Sequence, residues 1–210
     1  MTTTSASTAD AVAELFPKDT EGYVLTVLHE DGEYRHLRFG RPGERWGSTD
    51  IHTWPGGLTT AGDMADGWMF NRGLGFFASR PNLGYWQEKL TRTGWAASKE
   101  FGEHALRAEL ISAASDLDVP EQLRDDFDAA VAELIEDILS DNADTTAALE
   151  RIRNFLFECE DEDGADLDVC FLDPYELDVE DYTYPFVWAC HVLSTAARWL
   201  REGDERVVRA

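Results

Sequence analysis

Residues Gly22–Phe39, GYVLTVLHEDGEYRHLRF, decide the fold class. Two runs of β-forming residues flank Asp31-Gly32, a dipeptide suited to the left-handed backbone of a tight hairpin turn. Strands are therefore expected over Gly22–Glu30 and Glu33–Phe39. Toward the C-terminus, glycines and a proline punctuate Gly40–Gly47, and three short strands follow at Thr49–Thr53, Gly57–Ala61 and Trp68–Asn71. Turns at Pro55-Gly56 and Gly62–Gly67 separate them, so the front of the chain reads as an antiparallel sheet of four or five strands. Toward the N-terminus, residues 1–20 read as a mobile or short-helical extension, with Thr8 or Asp10 capping a helix over Ala11–Phe16 that Pro17 stops.

After Arg72 the period changes. Leu74, Phe76 and Phe77 open a short helical stretch, and Tyr85–Leu90 suggests another. Longer helices are expected at Lys99–Ser112, Pro120–Ser140 and Thr145–Cys159, the last capped by Asp144. In the second of these, Leu123, Phe127, Val131, Leu134, Ile135 and Ile138 recur at three- and four-residue spacing and make one apolar face. A final helix over Tyr184–Arg201 carries Pro185 in its first turn. Sheet first and helices after is the order of an α+β fold with helices covering a sheet face. We read residues 21–205 as one domain, with the sheet over 21–72, a mainly helical part over 73–205, and the final helix returning to pack on the sheet.

The net charge of −24 is unevenly placed. Residues 1–99 carry 12 acids and 10 bases, residues 100–181 carry 27 acids and 4 bases, and the last 29 residues carry 3 acids and 4 bases. Direct binding to nucleic acid or to an anionic membrane needs a basic face, which this distribution does not supply. The small cluster Arg35, Arg38, Arg41 and Arg45 is set against Glu33 and Glu44. No apolar run approaches the roughly 18–20 residues that span a bilayer, and the N-terminal MTTTSASTADA lacks the features of a secretory signal. Cys159, Cys170 and Cys190 are an odd number without close-pair spacing, as expected of reduced thiols in a cytoplasm.

The stretch Thr53–Arg72, TWPGGLTTAGDMADGWMFNR, resembles a signature T-W-P-G-x-L-x-x-x-G-D-M-x-x-x-x-F-x-R of an uncharacterised family of tailed-phage and prophage proteins. Here five residues, not four, separate Met64 from Phe70. Phe171–Trp188, with Asp173, Glu176, Tyr182-Thr183-Tyr184, Phe186 and Trp188, is similar to the family's second signature, and the acidic helices between the two are unmatched. The resemblance implies phage origin and action in the host cytoplasm. It implies no activity and no catalytic residues.

Two candidate sites follow. The first is a pocket of Trp54, Asp63 and Arg72, with Asp63 pairing across the sheet to Arg72; turn chemistry plus one structural ion pair is its bland counterpart. A His52–Asp63 hydrolytic pair is a further reading of the same segment, without a nucleophile elbow to serve. The second is the carboxylate face of Asp125, Asp126, Asp128, Glu133, Glu136, Asp137 and Asp141, with little basic neutralisation. Such a face either keeps the protein soluble or imitates a nucleic-acid backbone, which carries about one charge per 1.7 Å of duplex. Glu160–Asp168, an expected exposed loop, departs from the EF-hand register, and no H-E-x-x-H, P-loop or G-x-G-x-x-G is present. Neither cofactor nor metal is expected. The leading expectation is a non-enzymatic phage accessory protein that inhibits a host protein with a basic surface, such as a restriction or interference component. A ligand-binding or hydrolytic protein using Thr53–Arg72 is the alternative.

Overall fold

The structure, a computed structural model, describes residues 6–65, 67–141, 143–160 and 166–210. In chain order the elements are α1 Thr8–Asp19, β1 Val24–Asp31, β2 Tyr34–Gly40, β3 Thr49–Trp54, β4 Gly57–Gly62, β5 Met69–Phe70, α2 Leu83–Gln87, α3 Arg92–Ala97, β6 Lys99–Phe101, α4 Glu103–Ser115, α5 Arg124–Ser140, α6 Thr145–Arg153, β7 Phe157–Glu160, β8 Asp166–Val169, β9 Glu180–Tyr182, α7 Tyr184–Glu202 and β10 Val207–Arg209. They form two compact units, one of Thr8–Lys99 with Tyr182–Ala210, the other built on Glu100–Asp181. The fold class is α+β.

In the first unit six strands pair in the order β10-β1-β2-β3-β4-β5, antiparallel except where β10 runs parallel to β1. The β1–β2 turn has Gly32 at φ +60°, the conformation that the Asp-Gly dipeptide predicted. Period-two alternation sends Leu37, Phe39, Ile51 and Leu58 inward. There α1 and α7 meet them: Phe39 lies 5.4 Å from the Trp199 ring, and Phe16 packs edge-on to Trp188 at 4.9 Å. Helix α7 buries Phe186, Val187, Val192, Leu193 and Ala196 completely and ends at Gly203, left-handed at φ +67°. Pro17 does not stop α1 as expected. The helix runs on to Asp19, because the Thr20 N–H and hydroxyl both donate to the Phe16 carbonyl and close the last turn.

The second unit surrounds its own core of Leu106, Leu110, Phe127, Val131, Ile138 and Ile152. Asp144 caps α6 by accepting from the Ala147 N–H at 2.8 Å, as the sequence indicates. Two helix boundaries differ from expectation. Lys99–Phe101 is a strand paired with β9, and Gly102 carries the chain past Asp181 before α4 begins. Helix α6 ends at Arg153, and Phe157–Glu160 forms a hairpin with Asp166–Val169. Phe155, Phe157 and Cys159 pack on the core and alternate with the exposed Leu156, Glu158 and Glu160, a period of two that no helix can hold. The flanks of the expected Glu160–Asp168 loop are thus strands; residues 161–165 lie outside the described residues.

Candidate functional site

The Thr53–Arg72 segment works as turn and packing chemistry. Gly56, at φ +80°, makes the β3–β4 turn, and the Trp54 indole lies over Gly57 so closely that any side chain there would strike it. Leu58 and Phe70 are fully buried. Gly62, at φ +130°, lets β4 pass against the Ser48 carbonyl, which a Cβ would overlap. Asp63 accepts from the Gly47 N–H at 2.7 Å, so its carboxylate fixes the loop entering β3. The expected Asp63–Arg72 pair is absent. Arg72 follows the short strand β5 rather than extending it; it is exposed, donates to the Asn71 carbonyl at 2.7 Å and lies over the Phe76 ring. Trp54, Asp63 and Arg72 therefore serve three separate local contacts and do not converge on one pocket.

His52 faces other partners than Asp63. It stands opposite His36 in the β2–β3 register, the two rings stacked 4.2 Å apart. Asp50, two residues earlier on β3, shares that sheet face and receives Arg38 bidentately, Nε to Oδ1 at 2.7 Å and Nη2 to Oδ2 at 2.9 Å. The His36 Nε2 lies 3.2 Å from Asp50 Oδ2 but off hydrogen-bond alignment, and it is a buried nitrogen without a hydrogen-bond partner. Burial raises the Asp50 carboxyl, but the Arg38 guanidinium and His36 outweigh it and hold the group below its ordinary range. Burial and then the neighbouring His36 push His52 down, against the pull of Asp50. Ligating atoms of His36, Asp50 and His52 all lie within 4.8 Å of one another. His29, opposite His36 on β1, completes a row of three histidines across three strands. Beside the cluster a recess of about 460 Å³ is lined by Arg38, Arg45, Trp46, Asp50 and Asp63, with Trp46 85% exposed at its edge. A larger cleft of about 1050 Å³ between α1 and α7 is lined by Tyr23, His191, Ser194 and Arg198, among others.

In the second unit all seven acids singled out on α5 and its C-terminal end are exposed. Neutralisation is greater than the sequence suggests. Arg107 bridges Glu103 and Glu136, each at 2.9 Å, and Arg151 reaches Asp137 at 2.9 Å and also Asp141. The other two arginines are committed elsewhere. Arg124 donates to the Ala114 and Leu117 carbonyls at the end of α4, and Arg153 to the Tyr175 hydroxyl. Among the described residues, Asp125, Asp126, Asp128 and Glu133 stand in no ion pair.

No family model, curated protein or solved structure matches the chain.

Among the described residues no helix is long and apolar enough to cross a membrane. The His36–Asp50–His52 cluster is not legible in the sequence, because its members converge only through strand register. The signal present was the alternation His36, Arg38 and Asp50, His52 on what would become one sheet face.

Proposed function

We propose that this is a phage-encoded accessory protein whose acidic unit binds and inhibits a host protein through that protein's basic, nucleic-acid-binding surface. The observation that carries the reading is the placement of charge. Glu100–Asp181 holds 27 acids against 4 bases, and those four arginines are spent inside the unit. Phage origin rests on the resemblance of Thr53–Arg72 and Phe171–Trp188 to the phage signatures. Asp125 to Glu133 spans about 12 Å of helix axis. Four unpaired carboxylates in that length approach the roughly 3.4 Å charge spacing of one DNA strand. The helix N-terminus itself favours Asp125 and Asp126, by about 0.3–1 kcal/mol each. Asp128 and Glu133 have no such local reason.

Those two are therefore the residues to reverse. A pull-down from host lysate with wild type and with D128K/E133K, at low and high salt, tests the reading. A DNA- or RNA-binding protein held by wild type at low salt, shed at high salt and lost by the variant is expected. Equal capture by the variant, or capture indifferent to salt, would sink it.

A further inference from the structure

The solvent-facing side of the first unit's sheet carries a donor set that the acidic surface does not explain. We propose that His36, Asp50 and His52 form a binding site for one divalent first-row transition-metal ion, Zn²⁺ or a close relative. Three observations on geometry support it. The ligating atoms already lie within 4.8 Å of one another. A tetrahedral site with bonds of about 2.1 Å needs donors about 3.4 Å apart, so side-chain movements of about 1 Å suffice. The His36 Nε2, buried and without a hydrogen bond, points its electrons or its proton at a carboxylate oxygen it does not properly engage. The ligands also stand on paired strands, His36 directly opposite His52, and Asp50 on the same face as His52, which fixes their backbone spacing.

Arg38 is the cation that now holds Asp50, and it fits an outer role. When Asp50 turns Oδ2 toward an ion it gives up Arg38 Nη2 but keeps the 2.7 Å bond from Arg38 Nε to Oδ1. A ligating carboxylate anchored in this way is the usual outer-shell arrangement. Two imidazoles and one carboxylate select borderline transition metals over Mg²⁺ and Ca²⁺, which prefer all-oxygen shells. The side chains of His36 and Asp50 are 32% and 20% exposed, so solvent can complete the coordination.

The test must discount the carboxylates of the acidic unit, which gather divalent ions loosely. Co²⁺ is titrated into the full chain, without a histidine tag and in excess Mg²⁺, and followed by visible absorption. One Co²⁺ per chain with d–d bands is expected, displaced by Zn²⁺. An outer-shell partner is worth about 10–100-fold in affinity, so loss of a direct ligand in H36A or H52A lowers affinity by at least about tenfold. H191A keeps wild-type binding. Absence of a Co²⁺ band, or a band unchanged in both H36A and H52A, overturns the proposal. Should either variant misfold by circular dichroism, imidazole NMR of the wild type decides: Co²⁺ must broaden the His36 and His52 ring signals before those of His104 and His191, and failure to do so is equally fatal.

Discussion

His191 shows what one half-buried ionisable group does at the edge of this core. It lies on α7 with its ring 5.1 Å from Phe16, and burial, then the charge of Arg198, pushes its pKa below the ordinary 6.5. The native state therefore resists the proton that the unfolded chain accepts freely. Stability from this group is complete above the unfolded value and is lost as pH falls through it toward the lower native value. The difference in unfolding free energy between wild type and His191→Gln should shrink from about pH 7.5 to about pH 5.5; a constant difference would contradict the burial described. At this scale the sequence was only partly legible. Gly62-Asp63 read correctly as a turn because glycine at positive φ leaves a local signature. Its partner did not: Asp63 bonds Gly47, and that contact depends on how the loop before β3 lies, which no periodicity encodes. The His36–His52 stack is hidden for the same reason, since the loop between β2 and β3 sets the register.

Helices and strands follow their periods, and where the period is long the sequence reveals them. Helix α7 is legible almost to the residue, because its apolar face and Pro185 at the start agree, and its end falls one residue past the expected Arg201. Strand β10 is not, since three residues carry no pattern and their parallel pairing with β1 joins distant parts of the chain. The α6–β7 boundary is hard to see in the sequence because Phe155, Phe157 and Cys159 suit an apolar helix face by composition, and only their alternation marks a strand. These aromatics define how the second core is held. Phe127 on α5 is fully buried, with the Phe157 ring edge-on at 5.3 Å and Phe155 at 6.2 Å. Phe127→Ala should cost about 3–5 kcal/mol, read from denaturant unfolding by far-ultraviolet circular dichroism. A loss under about 1 kcal/mol would mean that this core closes around the gap or is not packed as described.

At the scale of the whole molecule, charge and compactness share boundaries. The step in acidity at residues 100 and 181, visible in the sequence, marks the edges of the second unit, while the first carries 15 acids against 14 bases. Like charges confined to one unit repel, and salt screens them over a Debye length of about 10 Å at 0.1 M. Tryptophan offers a way to see this unit by unit, since all seven lie within the first unit and none in Glu100–Asp181. Helical circular dichroism reports both units, so added salt should raise the midpoint of the part of that signal contributed by α4–α6 and leave the tryptophan-emission midpoint nearly fixed. Equal shifts of both would show that repulsion in the acidic unit does not limit its stability. The same chain order also governs synthesis. The sheet's apolar face is covered by α7 and its β1 edge by β10, both of which follow the acidic segment. At about 5–20 residues per second, a ribosome spends roughly 4–16 s on Glu100–Asp181. For those seconds β1–β5 emerge with Leu37, Phe39 and Ile51 still lacking α7, which makes the nascent sheet a natural client for a chaperone that shields apolar strands.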